Sequence, residues 1–117
     1  MRYLLLIYHN EQEYDAKPEA ERQSDYGQYF AYTNELTGSG AGRGGEALLP
    51  TAAATSVRER NGKLTTTHGP FAETKEQLVG FYIVEVDDLD QAIEWAHKIP
   101  ASRYGTIEIR PIIEFSQ

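Results

Sequence analysis

The sequence predicts an α+β fold in which two helices cover one face of a largely antiparallel sheet. Three observations carry this. Two stretches with helical periodicity alternate with short β-rich runs in the order strand, helix, strands, strand, helix, strand. An Asn-Gly pair at 61–62 sits between two β-rich runs, the strongest short hairpin signal a sequence offers. The strand read over residues 78–86 is apolar on both of its faces: Tyr82, Val84 and Val86 alternate with Phe81, Ile83 and Glu85.

Residues 2–8, RYLLLIY, form a continuous apolar run and read as a central strand covered on both sides. The polar segment HNEQEYDAKPEAE leads into the first helix. Pro18 suits its first turn, and Glu19 and Glu21 complement the positive end of its dipole. Tyr26, Tyr29, Phe30, Thr33 and Leu36 then fall on one stripe, expected to be buried. Gly38 to Gly45 reads as a helix terminus followed by a flexible turn. Gly40, Gly42 and Gly45 spell G-x-G-x-x-G, but they follow a helix instead of a strand, so a dinucleotide loop is excluded.

A short strand is expected over 47–49, stopped by Pro50. Residues 54–60 and 63–67 form the Asn-Gly hairpin, which Gly69-Pro70 ends. After the strand at 78–86, Asp87 or Asp88 caps the second helix; if Asp88 is the cap, Gln91 completes a capping box. Leu89, Ala92, Ile93 and Ala96 form the buried stripe of that helix. Residues 106–113 are the last strand, with Pro111 marking an edge or a bulge. The whole is a ferredoxin-like βαββαβ core with an extra hairpin, within a single domain spanning 1–117. The second apolar row of the 78–86 strand needs a cover, and a second copy of the sheet supplies it. A homodimer with sheets face to face is expected.

With 18 acids against 11 bases the net charge is −7, which repels phosphate backbones and argues against nucleic acid as a partner. There is no Cys, which fits a reducing cytoplasm. The apolar start is too short for a signal peptide, and no run approaches the ~20 residues of a membrane span. A soluble, cytoplasmic protein is expected. The eight Tyr suit pocket walls and interfaces as well as ordinary strands.

His68 is the foremost residue for proton transfer, since imidazole titrates near neutral pH, and Glu73 or Glu76 could orient it. His9, at the end of the first strand, could line the same cleft. Arg58 and Arg110, on strands, could clamp the carboxylate of a small organic anion, or pair with acids on neighbouring strands. Tyr32 could wall the pocket. His97, near a helix C-terminus, is explained by the dipole there. Lys75 sits between Glu73 and Glu76, which keep it protonated. Phe71 and Trp95 read as core or dimer anchors. No HxH, HxxxH or HExxH spacing exists, so no metal site is expected unless His9 and His68 converge with a carboxylate.

The stretch His68-Gly69-Pro70-Phe71-Ala72-Glu73-Thr74-Lys75-Glu76, with Gln77, Leu78, Gly80, Phe81 and Tyr82 after it, resembles the YCII-related proteins. Within them it resembles the subgroup marked by the motif DGPFAETKE. YLLLIY, TSVRERNGKL, DLDQAIEWAHKIP and IEIRPI extend the likeness over nearly the whole chain. The resemblance implies a dimeric α+β barrel. It implies either a small lyase or dehalogenating enzyme using a His-Asp pair without organic cofactor, or a companion of transcription factors with a binding or accessory role. His68 stands where the motif has Asp, Val79 replaces a Gly, and no His lies inside the first helix, where the His-Asp relatives keep theirs.

Overall fold

The computed structural model describes residues 1–115. A four-stranded antiparallel sheet has the order β2-β5-β1-β6, and a separate two-stranded sheet pairs β3 with β4. β1 is Arg2–His9, β2 Gly42–Ala47, β3 Thr55–Arg60, β4 Lys63–His68, β5 Gln77–Glu85 and β6 Thr106–Pro111. Helices α1 (Glu11–Asp15) and α2 (Glu19–Ser39) follow β1, and α3 (Leu89–Lys98) follows β5. This is the ferredoxin-like order, with β3 and β4 inserted as an arm between β2 and β5.

β1 is central, paired to both β5 and β6. Its Tyr3, Leu5 and Ile7 join Val84, Tyr32, Leu36, Ala92, Ala96 and Ile99 in the core under the helices. The alternate residues Leu4 and Leu6, opposite Ile83 and Phe81, lie on the other face and are half-buried. The two faces of β5 thus differ as its alternation implies.

The second helix starts as expected. Asp88 caps α3 by accepting from the Gln91 N–H at 3.0 Å, and Gln91 in return accepts from the Asp87 N–H at 3.0 Å. Asn61 and Gly62 adopt φ of 53° and 76°, the left-handed pair of a type I′ turn.

Several elements differ from the sequence reading. The glycine run is a strand, not a turn: Gly42–Ala47 pairs with β5, with a bulge between Gly42 and Gly44. Strand pairing uses the backbone, and glycine is suited to this edge because a Cβ at Gly45 would lie 2.6 Å from the Phe81 carbonyl oxygen. The first helix is split, with Pro18 at the N-cap of α2 and a short turn, α1, capped by Asn10 before it. The buried stripe of α2 runs through Asp25, Tyr32 and Leu36, while Tyr26 and Phe30 are exposed. On α3, Ala92 and Ala96 are buried but Leu89 and Ile93 are exposed. The last strand stops at Pro111, which lacks the N–H that would continue the ladder.

Candidate functional site

The end of β1, the turn of α1, one face of α2 and the β2–β5 edge enclose a cavity of about 550 Å³. Its walls are aromatic: Tyr14, Tyr26, Tyr29, Phe81 and Tyr82. Its polar groups are His9, Thr33 and four acids, Glu11, Asp15, Asp25 and Glu46. No Lys or Arg lines it.

His9 occupies the inner end. Its ring stacks on Tyr14, centroids 4.4 Å apart and planes 10° from parallel, with Tyr104 tilted at 5.9 Å. Nδ1 of His9 is buried and has no hydrogen-bond partner, the one such side-chain atom among the described residues. Burial holds the imidazole below its usual pKa, against the opposing pull of Asp25 and Glu11. The neutral form therefore dominates near neutral pH.

Behind this ring lies a buried carboxylate. Asp25 accepts hydrogen bonds from the hydroxyls of Tyr14 and Tyr104, each at 2.7 Å. Burial first, and the bond to Asp25 second, hold both phenols far above the ordinary tyrosine range. Burial also pushes the Tyr29 hydroxyl up to about 12. These phenols stay protonated and act as donors. Lys17 caps the cluster, its ammonium 3.6 Å from the centroid of the Tyr104 ring. Tyr82 and Thr33 share a hydroxyl contact of 2.8 Å across the cavity wall.

Local structure explains how His9 comes to be there. Asn10 turns the chain by accepting from the Glu13 N–H at 2.8 Å, so β1 ends abruptly and Tyr14 folds back over His9. Glu11 is engaged on both sides: its carboxylate accepts from the Thr51 N–H and hydroxyl at 2.9 and 2.6 Å, and its N–H donates to Gln77 Oε1 at 2.9 Å.

Of the residues expected at the site, only His9 lines this cavity. Tyr32 is buried in the core, its hydroxyl donating to the Trp95 carbonyl at 2.9 Å. Arg110 is exposed on β6, 3.5 Å from Glu108. His68 and Arg58 lie on the arm, both exposed, and Glu73 is exposed in the loop after it. Phe71, expected as an anchor, is 79% exposed. Tyr14, Asp25, Tyr29 and Tyr104 were not singled out as site residues. The abundance of Tyr was the available signal; a lone Asp within a helix gave none. No group of three His, Cys, Asp or Glu side chains able to hold a metal gathers among the described residues, and no described helix is long and apolar enough to cross a membrane.

The sequence profile of the YCII-related domain matches residues 1–116. The chain belongs to the YCII-related family. An uncharacterized protein of Rhizobium meliloti (strain 1021) is 32% identical to this YCII-related chain over 114 residues, covering 96% of this chain and 92% of that one. Among solved structures, 5-chloro-2-hydroxyhydroquinone dehydrochlorinase (TftG) of Burkholderia phenoliruptrix AC1100, in complex with 2,5-dihydroxybenzoquinone, superposes with a TM-score of 0.55. It shares 14% identity, over 98% of this chain and 96% of that one. That likeness establishes the fold of this YCII-related protein.

Proposed function

We propose that this YCII-related chain, of the DGPFAETKE subgroup, is a homodimeric, cofactor-free acid–base enzyme acting on a small hydroxylated ring compound in the His9 cavity. The observation that carries this is the buried, unpartnered Nδ1 of a neutral imidazole in an aromatic-walled cavity. Leaving such a nitrogen unpaired costs about 1–3 kcal/mol, which a ligand hydroxyl offsets. His9 takes the proton of a ring hydroxyl, and that oxygen becomes a carbonyl as its electron pair moves inward. The ring carbon then either receives the proton back from the imidazolium, an isomerase outcome, or the electrons expel an anionic group from an adjacent tetrahedral carbon, a lyase outcome. Tyr14 and Asp25 position His9 and do not themselves transfer protons.

The lining, with four acids and no Lys or Arg, suits a neutral ring better than the organic anion that Arg58 and Arg110 suggested. The dehydrochlorinase with the same fold binds a dihydroxyquinone, so substituted hydroquinones and dihydroxybenzoquinones are the first compounds to screen. The half-buried row Leu4, Leu6, Phe81 and Ile83 supports the dimer, since a second sheet would cover it. The test is turnover and binding of that panel by wild type, His9→Ala and His68→Ala. Loss in His9→Ala is expected. Turnover that survives His9→Ala overturns the assignment and returns the role to His68.

A second reading, a non-catalytic binding or accessory module, is favoured by the motif loop, which is tied by backbone bonds. The Gly69 N–H donates to the Ala54 carbonyl at 2.7 Å, the Ser56 hydroxyl to the Gly69 carbonyl at 2.9 Å, and Asn10 Nδ2 to the Lys75 carbonyl at 2.9 Å. A clasp of this kind tolerates His68→Asn and loses stability with Pro70→Ala, and no compound of the panel turns over.

A further inference from the structure

The arm of β3 and β4 is attached to the body at its root alone. Its strands form a sheet of their own, and every residue of both is exposed except Ser56. The radius of gyration, 16.3 Å, exceeds the ~13 Å of a compact chain of this size because the arm projects. An isolated two-stranded hairpin is marginal in water. This one presents Val57 at 61% and Leu64 at 71% exposure.

The register sorts its side chains. Thr55 pairs with His68, Val57 with Thr66 and Glu59 with Leu64, so Val57, Leu64 and His68 share one face. Arg58 pairs with Thr65 and Arg60 with Lys63, so the three bases share the other. The arm is thus an amphipathic ribbon with an apolar face ending in His68 and a basic face opposed by Glu59 alone.

The cavity mouth has the complementary character. Tyr26 and Leu48 line it while remaining 55% and 44% exposed, beside the exposed Phe30 and Leu49. The acids Glu11, Asp15 and Glu46 surround them with no base in the lining. The chain's own arm, held at its root by the Ala54–Gly69 and Ser56–Gly69 bonds, contributes no residue to that lining.

We infer that the arm of one copy docks across the cavity mouth of a second copy of this chain, laying Val57 and Leu64 against Tyr26 and Leu48 and carrying His68 to the partner's site. The basic row then meets the acidic rim. The cavity is complete only in the dimer. The motif that dominates the sequence and the cavity that dominates the structure become parts of one site. This rests on the homodimer proposed above and not on the acid–base chemistry.

The chain has no Cys, so cross-linking has no background. Val57→Cys is made with one affinity tag, and Tyr26→Cys and Leu48→Cys are made separately with another. Each pair is mixed, unfolded, refolded together and oxidised, with light scattering of the wild type in parallel. The expected result is a wild-type dimer and a disulfide-linked band at the mass of two chains that carries both tags. It forms with at least one acceptor and is lost when Leu64→Ser is added to the arm variant. A dimer in which neither acceptor cross-links to Val57→Cys overturns the docking and leaves the dimer standing. A monomeric wild type overturns both.

Discussion

The imidazole of His9 and the phenol of Tyr14 lie face to face, with the Tyr14 hydroxyl donating to buried Asp25. The stack makes the orientation of the proposed base depend on a carboxylate it is not shown to touch. Asp25 in turn is held by Tyr104 from the far end of the chain. The site is a chain of supports, and each link can be tested.

Asp25→Ala leaves two buried phenols without an acceptor. A stability loss of about 2–3 kcal/mol is expected, read from the urea midpoint. A loss no larger than the ~0.5 kcal/mol of an ordinary surface change would show that the two tyrosines repair themselves with water. Asp25→Asn keeps an acceptor and should cost less.

The raised pKa values of Tyr14 and Tyr104 have an alkaline signature. The unfolded phenols ionise near pH 10, while the native ones hold their protons. Their contribution is fully present below about pH 10 and is lost as pH rises beyond it. Tyrosinate absorbance should therefore appear together with unfolding. Ionisation of all eight Tyr in the native state would contradict the buried network.

His9 carries the opposite sign. Its native pKa is depressed, so the unfolded state binds the extra proton first as pH falls. The stability due to neutral His9 is present above about pH 6.5 and declines below it. In a two-dimensional NMR titration its ring should titrate below the ordinary histidine midpoint, and the acid limb of kcat/KM should follow the same value. A midpoint at or above the ordinary value removes the argument that burial keeps His9 neutral.

Gly105 lies against the end of β1. A Cβ there would collide with the Tyr8 carbonyl oxygen and come within 3.1 Å of His9 Cβ. Gly105→Ala should destabilise by about 1–3 kcal/mol and weaken ligand binding, because the strand that carries His9 must move. Unchanged calorimetric affinity in this variant would mean that the position of His9 is not limiting.

At the arm tip, Gly62→Ala places a Cβ on a residue with φ of 76°. A local cost of about 1–2 kcal/mol should appear as faster amide exchange in β3 and β4 with the main sheet unaffected. Equal acceleration in both sheets would show that the arm is not an independent unit.

Much of the architecture was legible because it is written locally. Asn61-Gly62 dictates its turn, Asp88 and Gln91 cap each other, and the alternation along β5 announces two faces. The glycine strand was not legible, since its pairing comes from the β5 backbone and its own side chains say nothing. The phase of α2 was misread because Tyr26, Phe30 and Thr33 look like core on a helical wheel. Asp25 is the buried one, and that depends on Tyr14 and Tyr104, which only tertiary folding brings near. His9 was visible as a strand end; the network behind it was not. The cytoplasmic setting and the absence of a cofactor are readings that the fold does not address.

Glu11 fastens the root of the arm to the first turn after His9 through Thr51, while Gln77 holds its backbone from the opposite side. Thr51 is not part of the cavity wall. A random-mutagenesis screen scored on ligand response would nonetheless return Thr51 among its hits, and a map of such hits would trace the tether between arm and cavity instead of the outline of the ligand.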